Sequence, residues 1–286
     1  MGLQDNEFLG TSETASILYH DIFDYPLKVK EIIRWRVGKK GLSLFKKTKE
    51  VLNKDGLYCL KDKESLLYKR TLRERISNRK TEIAKKNASL LAKLPTVKGV
   101  FITGALAMNN AKEESDIDLM IITKRNRLWL TRLTSYLVLR MMNYAVRKPN
   151  DKDQKDKLCL NIWLDESALS WGKKDRNIYS AHEIAQVVPI VDKENVHQRF
   201  LQKNRWILDY WPSAVRLSSM QYVVRSMQKS ILHSTFYVLL SWFNKLAFKL
   251  QYLYMKPKIT REVVTLHKAI FHPRNWGKEI NELLSA

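Results

Sequence analysis

The chain is poor in the residues that break or staple structure. Its 286 residues include 9 Gly and 7 Pro, too few for a collagen-like or linker-dominated protein. Two cysteines, Cys59 and Cys159, stand far apart and fit neither a zinc set nor a disulfide framework. A reducing, cytoplasmic setting is therefore expected. The opening residues, MGLQDNEFLG, hold neither a basic region nor an apolar stretch, so no secretory leader is expected. The most apolar run, 231–243, is shorter than the ~20 residues of a membrane span. Lys245 and Lys249 follow it at once, so integral insertion is not expected. Acidic side chains are also short: 29 Asp and Glu face 51 Lys and Arg, a net charge of +22. That excess points to a polyanionic partner, either nucleic acid or an anionic membrane.

What is present describes a folded chain. Apolar residues make up 45% and charged residues 28%, which excludes a disordered protein, and the length suggests roughly two domains. The basic excess lies mainly before residue 95 and after residue 170, leaving a nearly balanced middle.

The pattern predicts an α+β protein in four parts. Residues 11–62 read as a winged helix-turn-helix: helices near 13–22 and 26–38, a third from Ser43 to about Lys54, then a hairpin at Asp55-Gly56. The third helix would present Lys46, Lys47, Lys49 and Lys54 to nucleic acid. Residues 63–96 form a basic connector helix whose packed stripe is Leu72, Ile76, Ile83, Leu90 and Leu94. Residues 97–170 alternate strand, helix and strand around a buried mixed sheet. Residues 171–286 read as a helical C-terminal region, with helices at 181–188 and 213–256, the latter carrying Met220, Val224, Met227, Val238 and Trp242.

The informative stretch is GALAMNNAKEESDIDLMII. Asp116 and Asp118 are two apart on an expected strand, so alternation puts both carboxylates on one face and Ile117, Leu119 and Ile121 on the other. Two carboxylates held that close repel unless cations neutralise them. An all-oxygen pair suits Mg²⁺, which completes its shell with water and substrate phosphates. Upstream, Gly104 lets the backbone approach a ligand closely, and the N–H groups after it can face a phosphate. These residues imply in-line displacement at the α-phosphate of a nucleoside triphosphate, by positioning and charge.

With Ile102, Thr103, Gly104 and Ala105 followed by Asp116-Ile117-Asp118, residues 97–165 resemble the DNA polymerase β-like nucleotidyltransferase superfamily, whose motif is hG[GS], DxD and a later carboxylate on a third strand. DIFDYPL, RLWLTR, AHEIAQ and FHPRN further resemble bacterial proteins that join a winged helix to such a domain. The resemblance implies nucleotide-binding roles for Thr103, Gly104, Ala105, Lys112 and Ser115, catalytic roles for Asp116 and Asp118 as ligands of two Mg²⁺ ions (Mn²⁺ the alternative), and an NTP substrate. Two positions depart from the motif. Ala105 lacks the hydroxyl of a serine, and Asn161 stands where the third carboxylate is expected. Asp165, read two alternations further on the same face, is the substitute, with Glu183 more distant. Lys124, Arg125, Arg127 and Arg132 are candidate phosphate clamps, though an exposed turn would hold such residues for solvation alone. Trp129 and Trp163 could stack a base, but their apolar setting reads as core. His182-Glu183 lacks the second histidine of a zinc helix.

The expected function is transfer of an NMP from an NTP to a hydroxyl acceptor, RNA or DNA. The alternative is a weak or inactive relative that senses nucleotide and regulates through DNA or RNA. Attachment to a membrane surface through 213–256 is a third reading.

Overall fold

The computed structural model describes residues 9–46, 49–148, 151–217, 231–271 and 275–285, with backbone alone for 231–236. The predicted positions Lys47, Met220, Val224, Met227 and 272–274 of the FHPRN segment lie outside the described residues.

The N-terminal unit is built around a tight hairpin. Asp55 and Gly56 both have positive φ, 54° and 73°, as a type I′ turn requires. They join β2 (Val51–Lys54) to β3 (Leu57–Leu60), and β1 (Leu27–Lys28) pairs with the other edge of β3. Helices α1 (Thr11–Asp21) and α2 (Val29–Arg34) pack beside this sheet, and α3 (Lys39–Leu42) packs against α1. The helix expected from Ser43 to Lys54 does not form. Its second half is β2, because the hairpin gives Val51 and Leu52 cross-strand partners in Leu60 and Cys59. The short α3 is also covered: the Gly38 N–H donates to the Tyr210 carbonyl at 2.7 Å, and Gly41 lies against Ile178 and Tyr210.

The connector is a helix as expected, α4 (Ser65–Leu91), and four residues of the expected stripe, Ile76, Ile83, Leu90 and Leu94, pack partly buried against the core. Leu72 is exposed, while Leu66, Arg70, Arg73, Ser77, Lys80, Ala84, Ala88 and Leu91 are buried at steps of three and four. Buried cations need partners, and each has them. Arg70 bonds Glu31 and Glu74 at 2.8 Å and stacks on Tyr25. Arg73 donates to the Asp24 carbonyl and to Asn110 Oδ1. Lys80 Nζ donates to the carbonyls of Glu113 and Ser115 and to the Asp156 carboxylate. Helix α4 thus ties the N-terminal unit to the segment that leads into Asp116.

The central sheet has six strands among the described residues. β4 (Val97–Ile102), β5 (Ile117–Thr123), β6 (Leu158–Asp165), β7 (Val188–Asp192), β8 (Val263–Val264) and β9 (Lys268–Ile270) lie in the order β7-β4-β5-β6-β9-β8. β5 and β6 run parallel and every other pair antiparallel. The C-terminal third is therefore not purely helical. α7 (Ile178–Ala185) stops before the β-branched, proline-containing run VPIVD, which forms β7, and β8 and β9 extend the opposite edge.

Helices cover both faces of the sheet. Phe101, Met120, Ile122, Ile162 and Leu164 pack with α1, α7, α8 (Val196–Lys203) and α10 (Trp276–Ser285). Val100, Leu119, Ile121, Leu160 and Trp163 pack with α4, α6 (Leu128–Met141) and α9 (Ile231–Met255). The first of these cores also takes in Ala15, Tyr19, Trp35 and Val37, so the N-terminal unit shares its interior with the rest of the chain.

Candidate active site

The site lies where β4 ends and β5 begins. Antiparallel pairing of Ile102 with Leu119 and a bond from the Thr103 N–H to the Asp118 carbonyl at 3.1 Å bring the two segments together. Gly104 opens the one-turn helix α5 (Gly104–Ala107) with φ of +62°. A Cβ there would lie 2.7 Å from Asp118 Oδ2. Only glycine accepts both that conformation and that contact. Asp116 immediately precedes β5 and Asp118 is its second residue; both are half-buried. Ile117, Leu119 and Ile121 join the core on the α4 side, while Asp118 lies on the α7 side with Met120 and Ile122. The alternation read from the sequence holds.

Strand β6 adds two groups. Cys159 stands opposite Asp118 in the parallel register, and ligand atoms of Asp116, Asp118 and Cys159 lie within 4.8 Å of one another. Asn161 Nδ2 donates to Asp118 Oδ1 at 2.7 Å. Its own Oδ1 is buried with no partner among the described residues. From the loop after α6, Arg147 Nη1 reaches Asp116 Oδ2 at 2.7 Å and the Cys159 sulfur at 3.7 Å.

Burial and the Asp116 charge push Asp118 up to about 7. Burial, then Asp118, pushes Glu183 of α7 up to about 8, so Glu183 lies within the field of the pair. Burial and the neighbouring carboxylates raise the Cys159 thiol above its ordinary range, which keeps it protonated and a poor metal ligand. Burial contributes most to both carboxyl shifts, and a cation bound beside the carboxylates would offset the cost of keeping them ionised there. The donors left are two carboxylates and the orphaned Asn161 oxygen, a hard set that fits Mg²⁺ or Mn²⁺ and not a thiolate-bound metal.

Other expected site residues lie elsewhere or have other partners. Asp165 is fully buried and accepts from the N–H groups of Asn126 and Ser167 and from His267 Nδ1. The register slips between Asp118–Cys159 and Met120–Ile162. This bulge puts Asn161 and Ile162 on the same side and reverses the alternation beyond them, so Asp165 is not on the face of Asn161. It pairs with Thr123 at the far end of β5. Ser115 turns its hydroxyl onto the Lys112 carbonyl at 2.9 Å. Lys112 and Ala105 are exposed near the strand entrance, and Thr103 is buried. Arg127, read as solvated or phosphate-binding, is buried and donates to Ser241 and the Tyr237 carbonyl. Arg132 bonds Gln251. Both tie α6 to α9. Trp129 and Trp163 are core, as their apolar setting implied. His182 pairs with His20 at 3.2 Å.

Sequence reasoning missed Cys159 and Arg147. Cys159 was legible, two residues before Asn161 on the same strand; Arg147 carries no local signal, since only the chain path after α6 delivers it.

Residues 81–194 match the model of a family described as Nucleotidyltransferase domain. That span holds the glycine, both aspartates, Asn161 and Glu183. No curated protein and no solved structure matches the chain.

Proposed function

Residues 81–194 form a nucleotidyltransferase domain of the polymerase β-like kind, and from that premise we propose that the protein transfers an NMP from an NTP to a hydroxyl acceptor, a nucleic acid, with Mg²⁺. The observation that carries this reading is the convergence of Asp116 and Asp118 with Gly104 packed against Asp118. Asp116, Asp118 and the Asn161 oxygen would hold divalent metal, which supplies charge neutralisation for the triphosphate and the leaving pyrophosphate. The absence of a Cβ at Gly104 lets the Asp118 carboxylate pack against the backbone there, and Ala105, next in the chain, is exposed.

The attacking hydroxyl must lose a proton. Asn161 cannot take it. Glu183, whose carboxyl burial raises to about 8, is mostly protonated at neutral pH and would accept that proton only in its ionised fraction, so in this reading transfer rises as pH climbs through that value. Arg147 neutralises Asp116 before metal arrives. The net charge of +22 supports a polyanionic acceptor. The helix-strand-helix-helix-hairpin order of the N-terminal unit supports a winged-helix reading, with Lys46 and Lys49 exposed.

The test supplies purified protein with Mg²⁺, each α-labelled NTP and total RNA. Label moves to RNA with wild type and not with Asp118→Asn. Equal transfer by both proteins contradicts the assignment. Asn161 and the Arg147–Asp116 ion pair favour one second reading, a nucleotide-sensing regulator. It predicts tight NTP binding without label transfer to RNA, DNA or protein.

A further inference from the structure

Helix α9 has two faces, and among the described residues only one packs against the fold. On the inner face Asn244 Oδ1 accepts the N–H groups of Trp129 and Leu130, Gln251 donates to the Trp129 carbonyl, and Ala247 and Met255 are buried. These contacts fix the helix against the start of α6. The outer face carries Leu239, Trp242, Leu246, Leu250 and Leu253 at steps of three and four, flanked by Phe243 and Tyr254. All are exposed, Trp242 at 57%, Leu250 at 61% and Leu253 at 66%. Helix α6, packed alongside, adds exposed Leu133, Leu137 and Met141. A row of exposed apolar side chains along one helix face marks an interaction site.

Charge selects the occupant. Exposed Lys245, Lys249 and Lys256 recur at steps of four and seven along one edge of the apolar stripe. No acidic residue occurs between Asp209 and Glu262, while that interval holds eight Lys and Arg. A second copy of the same face would set like charges together. Nucleic acid would meet the cations and could stack on Trp242 or Tyr254, but the row of four leucines would stay uncovered in such a complex. A leucine-rich stripe with Trp and Tyr and a lysine border has the chemistry of a helix that lies in the headgroup region of an anionic bilayer. No helix among the described residues is long and apolar enough to cross one.

We propose that the outer face of α9, extended by α6, docks the protein reversibly on an anionic lipid surface. Leucine and Trp242 side chains enter the acyl boundary and the lysines meet lipid phosphates.

The test is co-sedimentation of the full chain with vesicles of pure phosphatidylcholine or of phosphatidylcholine with phosphatidylglycerol. Wild type pellets with the anionic vesicles, releases in high salt, and stays in solution with phosphatidylcholine alone. Leu246→Glu with Leu250→Glu lowers anionic-vesicle binding by roughly tenfold or more, following the transfer cost of exposed leucine, with an unchanged circular dichroism spectrum. Lys85→Gln with Lys93→Gln makes the same change in net charge away from α9 and binds as wild type. Equal loss in both double variants would reduce the effect to net charge and overturn the proposal. So would wild type failing to pellet with anionic vesicles. A concentration-dependent dimer in sedimentation equilibrium, or binding of single-stranded RNA, abolished by the leucine variant while vesicle binding persists, would assign the face to that partner instead.

Discussion

At Gly104 a single methyl group would meet the Asp118 carboxylate at 2.7 Å while the backbone holds φ of +62°. Gly104→Ala is expected to cost ~1–2 kcal/mol of stability for the left-handed conformation alone and to displace Asp118. Urea unfolding reads the first effect and metal affinity the second. Asn161 offers the opposite experiment. Its amide donates to Asp118, and Asn161→Asp replaces that bond with a third negative charge. The variant should be less stable without metal and show a larger Mn²⁺-dependent rise in Tm than wild type. Glu183→Gln should lower label transfer by ~10²–10⁴ if Glu183 takes the proton, with Mn²⁺ affinity kept within a few-fold; wild-type rate in that variant assigns the proton elsewhere. At this scale the site was half legible. A glycine ending a strand and two aspartates entering the next announce themselves by residue type and spacing. Arg147 and the companion role of Glu183 depend on where distant segments return, which spacing does not encode.

Among the elements, α4 departs furthest from its sequence pattern. A basic helix reads as solvated, yet Lys80 is fully buried because it gathers two carbonyls and a carboxylate from the loops beside Asp116. Lys80→Met removes the ammonium from both carbonyls and the carboxylate, while Asp156 keeps Arg79 and the Ser115 carbonyl keeps the Asp156 N–H, so a cost of ~1–3 kcal/mol follows from the lost charged hydrogen bonds. A loss under 0.5 kcal/mol in chemical unfolding would contradict that role. Strand β6 shows a second limit. Strict alternation assigns Asp165 to the face of Asn161, but one bulge reverses the parity. β7, β8 and β9 were hidden for a related reason: short strands at sheet edges carry too few residues to show a period of two, and tertiary pairing decides them.

Across the whole molecule, the first and last thirds close on each other through two histidines. His20 Nδ1 donates to the Ser16 carbonyl at 2.8 Å, so its Nε2 accepts from His182 Nε2 at 3.2 Å. Tyr19, Trp35 and Trp211 surround the pair. Burial lowers His20 to about 4 and His182 well below the ordinary histidine range. The unfolded chain therefore binds protons that the folded one refuses. The pair's contribution to stability is intact above the unfolded value near 6.5 and falls as pH drops towards 4, with a slope approaching ~2.7 kcal/mol per pH unit for two sites. Asp118 and Glu183, both raised, act with the opposite sign over that range. The difference between wild type and His182→Gln isolates the histidines: urea midpoints from pH 7.5 to 5 should fall more steeply in wild type, and parallel curves would contradict the account.

All of this serves one claim, that Asp116 and Asp118 share a divalent cation through oxygen donors. Mn²⁺ binding followed by electron paramagnetic resonance, in the presence of a non-hydrolysable NTP, addresses it directly. Wild type and Cys159→Ser should bind alike, while Asp116→Asn and Asp118→Asn should each weaken binding at least tenfold. Undiminished binding in both aspartate variants, or loss in Cys159→Ser alone, would contradict it.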